Sequence, residues 1–537
     1  ANAHAGNWPE PWSDDDPSAP PVRVQTSEKS DFGFRGGAEY RAQGVYINPL
    51  DLSSESRSRA AWLEHRLRLD GTVDYLDKVK LTTSIDMLDG VLWGDNGHEG
   101  TDPEPANGAH VNTNNPNLAK MCMTLDPGGN AVDPHAYHYG LCPADAINVR
   151  RLFGDVITPF GLFRVGRQAF TEGASVAVND GDGRRNRFGV SNRGNSVDRI
   201  LFATKPFEAF KPKELRDKSE QRGFFFITAY DQLVIDEPQL LGYQLHDFIV
   251  ATRYLQPKIG KVRDLELRAY YTYRWDGHFG TNIHAFGGRA VAKLGDFFAG
   301  VDGVGILGAT QEVSEAFHLI TNDPVVSQAI RQMGIRGVVR YDRPKWTAYL
   351  EGDYASGTSD TTLKGPLTQF HFAEDTNVGL LLFKQVLAYQ SAREAAAATA
   401  LLNSLHAPTI PVESIATRGA LTDAVVIFPQ ADYRPIEHVL LRGGVMMAWA
   451  PAAVFDPIAT AQRRSSGTYQ NVAVNYNGGS PGSYYGTELD GRAQWRYLDH
   501  FALDLEGAVL FPGNALQDED GHAVRSFMVD ARTTFFF

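Results

Sequence analysis

The sequence contains no long apolar run and no basic block, and it has only two cysteines. Its mean hydropathy is −0.29, and no segment reaches the roughly 20 continuous apolar residues that a membrane-spanning helix needs. This excludes a helical membrane protein. The 51 Lys and Arg residues against 64 Asp and Glu residues give a net charge of −13. With no basic block, that balance argues against nucleic acid as a partner.

The two cysteines, Cys122 and Cys142, lie in one Gly, Pro and Asn-rich segment. We expect them to form a disulfide in an oxidising compartment, contributing about 3 kcal/mol. Two separate thiols are the alternative. We predict neither a metal nor a cofactor. The start of the chain, residues 1–6, is typical of a terminus left by a secretory cleavage, so we expect secretion.

What the sequence does contain is alternation of apolar and polar residues. In its last stretch one face carries Phe527, Val529, Ala531, Thr533, Phe535 and Phe537. Asp530 and Arg532 lie on the other face. An alternating final strand that ends on an aromatic residue is typical of an outer-membrane barrel, where it closes on the first strand. The edge strand of a soluble sandwich is the alternative.

The same alternation recurs from Asp31 onward, with links that are by turns short and long. This pattern predicts an all-β fold, a transmembrane antiparallel β-barrel of about 18 strands, with 16 to 18 as the range. Residues 1–30 are predicted to be a flexible periplasmic tail, and 31–537 a single barrel. The predicted long loops are 88–147, 171–196, 311–333, 357–420 and 451–483.

Two stretches, 312–333 and 384–406, have helical composition and interrupt the strand pattern. The second is rich in alanine. Both fall in links predicted to lie outside the cell. They could cap the mouth of the barrel, enter its lumen or lengthen a loop, and we favour an element of the lumen or mouth.

Residues on the polar parity are predicted to face the lumen and to form the solute path. A pore lined with guanidinium groups lowers the barrier for an anionic solute. Arginine paired with acids is also common in the interior of a water-filled barrel, so a purely structural role for these residues remains an alternative. Across the closure seam, Asp530 and Arg532 are expected beside Arg35 and Glu39. The predicted path residues are Arg35, Glu39, Arg41, Glu64, Arg66, Arg68, Arg164, Gln168, Arg268, Arg274, Arg340, Glu351, Arg442, Glu488, Asp490, Arg492, Arg496 and Arg532.

Catalytic patterns are poor. No GxSxG segment is present, and the histidines lie on different predicted strands and loops, so we predict no enzyme. Trp62 and Trp93 are candidates for an aromatic girdle, with stacking on a sugar as the sharper alternative.

Three short segments resemble the alginate export family of outer-membrane barrels. They are PheArgValGlyArgGln at 163–168, TyrGlyThrGluLeuAsp at 485–490 and LeuPheProGly at 510–513. The resemblance covers roughly the first three and last three strands. It implies an 18-stranded, arginine-lined conduit that releases an anionic exopolysaccharide. The matched positions are Arg167, Gln168, Glu488 and Asp490, although strand parity directs Arg167 outward.

Together these observations predict an outer-membrane channel that passes an anionic saccharide or exopolysaccharide, with both termini in the periplasm. A general or small-solute porin is one alternative. A structural barrel that anchors an envelope assembly is another. The expected partners are outer-membrane lipid and lipopolysaccharide, a saccharide or other anionic solute, and periplasmic export components.

Overall fold

A computed structural model of the chain describes residues 22–24, 31–52, 60–94, 145–171, 176–178, 186–190, 196–235, 245–394, 398, 416–467 and 472–537, apart from positions 77, 218, 220, 322 and 499. The strands are β1 Val22–Val24, β2 Phe32–Asn48, β3 Ala60–Tyr75, β4 Val79–Gly94, β5 Asp145–Ile157, β6 Leu162–Ala169, β7 Ser196–Thr204, β8 Gly223–Ile235, β9 His246–Ile259, β10 Val262–Asp276, β11 Thr281–Leu294, β12 Phe297–Thr310, β13 Gln328–Asp342, β14 Trp346–Ala355, β15 Ala424–Tyr433, β16 Val439–Val454, β17 Gly482–Tyr497, β18 Phe501–Pro512 and β19 Ser526–Phe536. The helices are α1 Pro206–Ala209, α2 Glu312–Thr321, a π-helix Leu382–Leu387 that continues into α3 (described over 388–394), α4 Pro457–Ser466, and short 3-10 turns at Lys213–Leu215 and Asn514–Leu516.

Strands β2 to β19 form a closed antiparallel barrel of 18 strands, which confirms the predicted fold. The barrel closes where β19 pairs with β2. The terminal residue extends this seam, since Phe537 and Ala38 exchange backbone hydrogen bonds of 2.8 and 2.9 Å. Closure gives every strand two neighbours and removes exposed sheet edges.

The register at the seam differs from the expected one. Asp530 lies opposite Val45 and Arg532 opposite Gln43, well away from Arg35. The reason is that β2 is 17 residues long and β19 only 11, so the start of β2 extends past the end of β19. There β1 pairs with β2 instead, which places residues 22–24 of the predicted tail in the sheet.

The links define two ends of the barrel. At the short-turn end, seven of the described strand pairs are joined by five residues or fewer, as between β9 and β10 at 260–261. At the long-loop end lie the β4–β5, β6–β7, β14–β15 and β16–β17 links. Strands are longer than predicted at this end, because β4 continues to Gly94 and β13 begins at Gln328. The prediction of a helical element over 312–333 is therefore wrong beyond the end of α2.

The outer face is apolar. Leu69, Leu267 and Val339 are among many large apolar side chains that stay exposed on it. Aromatic side chains gather near both ends: Phe297 and Tyr341 have ring centroids 4.7 Å apart at the short-turn end, and Trp449 and Tyr484 lie 5.6 Å apart at the long-loop end. An apolar band between two aromatic girdles is the surface that a lipid bilayer solvates.

In the described part of the chain, no helix is both long and apolar enough to cross a membrane. Cys122 and Cys142 lie outside the described residues, as does most of the predicted 88–147 loop.

Candidate functional site

The inside of the barrel is apolar at the long-loop end and charged toward the short-turn end. On β2, the inward side chains of Val45 and Ile47 are 4% and 0% exposed, whereas Glu39 and Arg41 follow on the same face toward the short-turn end. The apolar layer also contains Trp62, Val304, Val426, Phe428, Met446, Ala508, Leu510 and Met528. A watery lumen would not stabilise such a layer, so another part of the chain has to cover it.

That cover is residues 370–394 of the β14–β15 link, here named the first insertion. Leu381 and Leu382 are fully buried, and the Phe383 ring lies 5.7 Å from the Tyr485 ring of β17. These side chains belong to the same apolar cluster as Ile47 and the other inward residues. The described part of the predicted helical stretch, 384–394, therefore lies inside the barrel.

Glu488 of β17 fixes the start of the first insertion's helix. Its Oε1 accepts the N–H groups of Leu380 and Leu381, both at 2.8 Å, and its Oε2 accepts that of Leu382 at 2.6 Å. The first N–H groups of a helix lack internal partners and carry partial positive charge. A buried carboxylate satisfies both needs, so Glu488 acts as a cap supplied by the barrel wall.

A second insertion, residues 186–190 of the β6–β7 link, packs beside the first. The Arg187 guanidinium donates to Asp432 at 2.6 Å and lies 4.0 Å over the Tyr349 ring. The Phe188 ring stacks on Phe428 at 5.6 Å. The Gly189 N–H donates to Glu506 at 3.1 Å. The second insertion is therefore tied to the wall by charged, aromatic and backbone contacts.

Beneath the two insertions, the charged wall of β15 to β19 is sealed from water. Arg442 donates in bidentate fashion to Asp432, at 2.7 and 2.9 Å. Arg492 pairs with Asp504 at 2.8 Å. Arg532, 2% exposed, is held among Asp504, Glu506 and Asp530. Predicted path residues Glu488 and Asp490 also lie here and are buried. These groups stabilise the wall and hold the insertions.

The opposite wall, on β9 to β11, is different because its arginines outnumber their acids and keep partial exposure. Arg253 and Arg268 bond to Oε1 of Glu266 at 2.8 and 3.1 Å, and Arg289 approaches Oε2 at 3.7 Å. The Arg253 and Arg268 side chains are 21% and 17% exposed, whereas that of Glu266 is 1% exposed. We name Arg253, Arg268 and Arg289 the Glu266 arginine cluster.

A second acid, Asp302, lies opposite Arg289 across the β11–β12 pair and accepts the Val176 N–H at 3.2 Å. Among the residues that the structure describes here, three guanidinium groups thus face two carboxylates. Because two of these three guanidinium groups are reached by solvent, the described side chains of this stretch of wall present a net positive surface to the lumen.

A similar excess surrounds Asp86 of β4. Arg68 donates to it in bidentate fashion at 2.6 and 2.8 Å, and Arg66 and Arg150 each approach it at 4.0 Å. Arg66 also pairs with Glu39 at 2.6 Å. Arg66 and Arg68 were predicted to line the path, and they prove to be 1% and 5% exposed. They are buried within the wall, with Arg150 nearer the water.

Other predicted path residues also point inward and are paired. Arg164 donates to Asp155 at 2.7 and 3.0 Å while lying 4.3 Å over the Phe153 ring. Arg274 donates to Asp247 at 2.9 and 3.1 Å. Their side chains are 17% and 16% exposed, so they extend the partly exposed wall along β5, β6 and β10.

Three predicted residues lie near the two ends of the barrel. Arg35 lies at the short-turn end, 31% exposed and 3.6 Å from Asp74. Arg496 lies at the same end, near the last residues of β17. Glu64 lies toward the long-loop end, where it accepts the indole N–H of Trp62 at 3.2 Å.

The remaining predicted residues are buried among wall contacts. Arg340 lies 4.8 Å over the Phe298 ring. Glu351 accepts a hydrogen bond from Arg336. Gln168 is 4% exposed, and Arg41 is 3% exposed. These positions are packed structure rather than open pore surface.

The structure shows the direction of the Arg167 side chain and the surroundings of the Trp62 indole, both of which were predicted from the sequence. Arg167 points outward, as its parity predicted, and pairs with Asp198 on the outer face at 3.0 Å. The sugar-stacking alternative for Trp62 is wrong, because this indole is 3% exposed inside the apolar layer. The side chain of Trp93 lies outside the described residues.

Sequence reasoning missed Arg253, Arg289, Arg150 and both insertions' wall contacts. The alternation along β9 could have found Arg253, since it shares a face with inward Asp247 and Leu255. No local pattern marks Arg187, which lies in a loop and enters the lumen by tertiary packing. Within the described ranges, no group of three or more His, Cys, Asp or Glu side chains could hold a metal ion.

Comparison with solved structures finds likeness over nearly the whole chain at very low identity. The outer membrane protein OpdK of Pseudomonas aeruginosa, solved with vanillate, has a TM-score of 0.45 and 8% identity over 94% of this chain and 98% of that chain. OccK9 (OpdG) of the same organism has a TM-score of 0.47 and 9% identity over the same shares. OccK2 (OpdF), solved in complex with glucuronate, has a TM-score of 0.45 and 7% identity over 94% of this chain and 96% of that chain.

Similarity at this level does not place the chain in a family. No family model matches the sequence, and no curated protein matches it. The resemblance to alginate export barrels therefore stays a prediction.

Proposed function

We propose that this protein is a passive channel of the bacterial outer membrane for small acidic solutes. The observation that carries the proposal is the Glu266 arginine cluster. Among the described residues, its three guanidinium groups face two carboxylates on adjacent strands, and two of the three guanidinium groups are partly exposed. A fixed positive wall replaces part of the hydration of an anion and pairs with carboxylates in a fork geometry. The apolar outer band supports placement in a bilayer.

The two insertions support a small solute rather than a polymer. They cover the apolar half of the lumen and the wall of β15 to β19, which leaves the partly exposed arginines on β5, β6, β9 and β10 as the path. A path against one wall admits a monosaccharide-sized acid more readily than a hydrated polymer. Release of an anionic exopolysaccharide is the broader proposal, and it requires both insertions to move out of the lumen.

The test is solute entry into liposomes that contain the purified barrel. We expect a small carboxylated sugar to enter faster than its uncharged counterpart at equal size, and a long acidic polymer to stay outside. The double variant Arg253→Gln/Arg268→Gln should remove the preference for the acid. Arg331→Gln is a matched control, because Arg331 is exposed on the opposite parity of β13.

Equal entry of acid and neutral sugar in the wild-type protein would contradict the proposed selectivity. Rapid entry of the polymer would favour the exopolysaccharide form. A barrel that admits no solute at all would favour the third possibility, an anchor for an envelope assembly, for which the packed apolar half of the lumen is the supporting observation.

A further inference from the structure

The first insertion is attached to the long-loop end of the barrel through two acids in contact. Glu394, in α3, lies at the N-terminus of α4, where its Oε1 accepts the Ile458 N–H at 2.9 Å. Asp456 caps the same helix by accepting the Ala459 N–H at 2.7 Å. The two carboxyl groups thus accept the N–H groups of consecutive turn residues, Ile458 and Ala459. Because two carboxylates held together in a buried site repel each other, the pair favours a state in which one of them carries a proton.

A third acid, Asp423, is buried where the β14–β15 link returns to the barrel. Its side chain is 7% exposed, and its Oδ1 accepts the Ala452 N–H at 3.2 Å. Across the described residues no basic side chain pairs with it. Asp423 lines a cavity of about 30 Å³ together with Leu387 of the first insertion and Tyr485 of the wall. Burial without a counter-charge favours a neutral carboxyl group.

The buried surroundings of Glu394, Asp456 and Asp423 favour the protonated form of these acids. Burial, followed by the neighbouring Asp456 charge, raises the pKa of Glu394 well above its ordinary range. Burial raises the pKa of Asp456, opposed in part by the charge of Arg393. Burial raises the pKa of Asp423 to about 7.

Apart from Arg393, whose charge acts on Asp456, the nearby groups Tyr476, Tyr485 and His371 stay neutral near pH 7. Burial raises the pKa of Tyr476 well above its ordinary value and lowers the pKa of His371 to about 4. The Tyr485 hydroxyl donates to the backbone oxygen of Asp423 at 3.2 Å. None of these groups supplies a positive charge that would replace a lost proton.

We propose that Glu394, Asp456 and Asp423 form an acid latch, which holds the first insertion inside the lumen while protonated and releases it when the protons leave. The latch joins the insertion to α4 at one point and to the start of β15 at another. Losing the shared proton places two carboxylates in contact, and losing the Asp423 proton leaves a buried charge without a partner.

The direction of the pH effect follows from the protons that each state binds. Docked Asp423 keeps its proton up to about pH 7, whereas a released, hydrated carboxyl loses it near pH 4. The contribution of the latch to docking is therefore complete below about pH 4, falls as pH rises and is gone above about pH 7. Within that window each latch proton multiplies the released population by up to about tenfold per pH unit.

Hydrogen exchange of the backbone amides in 380–387 tests the latch directly. The wild-type protein is compared with Glu394→Gln/Asp423→Asn, whose amides imitate the protonated acids at every pH. Comparison at one pH cancels the intrinsic exchange rate, and the strand amides of β16 and β17 report whether each barrel is folded. Glu519→Gln is the matched control, because Glu519 is exposed in the β18–β19 loop.

At pH 4 we expect equal exchange in all three proteins. At pH 8 the wild type and the control should exchange at least about tenfold faster than the double variant. Equal exchange in the wild type and the double variant at pH 8, with folded strands, would overturn the latch.

Conductance is a second readout, and only this consequence rests on the proposed channel function. If the latch opens the lumen, wild-type conductance rises between pH 5 and pH 8 and that of the double variant does not. A pH-dependent exchange without any conductance would leave the latch standing and remove the channel.

Discussion

Glu488→Gln is the substitution that separates the barrel from the insertion most cleanly. The wild-type carboxylate accepts three backbone N–H groups, from Leu380, Leu381 and Leu382, at 2.6 to 2.8 Å. Glutamine keeps one acceptor oxygen and turns the other into an NH₂ group that faces an N–H donor. The variant therefore loses at least one hydrogen bond and all of the charge.

The free-energy cost of Glu488→Gln for docking of the first insertion follows from these three hydrogen bonds. A hydrogen bond to a charged group contributes about 1.5–3 kcal/mol, and charge at a helix N-terminus adds up to about 2 kcal/mol when partly buried. Loss of one bond and weakening of two gives about 2–4 kcal/mol. Since about 1.4 kcal/mol is a tenfold change in an equilibrium, the released population should rise roughly 30-fold to several hundredfold. Barrel strands should not be affected, because within the described part of the chain Glu488 forms no ion pair with the wall arginines, whereas Arg492 pairs with Asp504.

The assay is amide exchange of 380–382 beside single-channel recording, in the wild type, Glu488→Gln and a matched Asp70→Asn control. Asp70 is exposed toward the short-turn end and far along β3 from the insertion. We expect faster exchange and a larger open fraction in Glu488→Gln alone. Unchanged exchange in a folded Glu488→Gln barrel would refute the cap.

Two further substitutions test the wall. Gly166→Ala should destabilise the barrel by about 1–3 kcal/mol and so lower the temperature at which it unfolds in detergent, because Gly166 has φ +127° and an added Cβ would clash with the Leu152 carbonyl oxygen. An unchanged unfolding temperature would contradict this. Asp86→Asn should cost about 3–5 kcal/mol, because it removes the bidentate partner of buried Arg68. It should also raise anion preference in bilayer recordings, and a shift toward cations would contradict the charge assignment.

The barrel itself could be predicted from the sequence because its cause is local. Strand parity placed Arg268, Arg274 and Arg442 on the inner face and Arg167 on the outer face, and the structure agrees. The period of two persists between the bulges of the strands because one side meets an apolar surrounding and the other does not. The closure of β19 on β2 follows from the same logic.

The filling of the lumen could not be predicted in the same way because it depends on distant packing. The inward positions Val45 and Ile47 were a visible signal, since an open aqueous lumen does not call for apolar side chains there. Nothing in the sequence indicated which segment covers them. Arg187 sits in a polar loop, and its contact with Asp432 spans 245 positions of the chain. The seam register was likewise set by unequal strand lengths.

We propose that the partly exposed wall of β9 and β10 gives the lumen its selectivity. The reversal potential under a potassium chloride gradient tests this selectivity most directly. The wild type should show anion preference, and Arg253→Gln/Arg268→Gln should lose it, while Arg331→Gln keeps it. A wild-type reversal potential that favours potassium, or one that the double substitution leaves in place, would contradict the account.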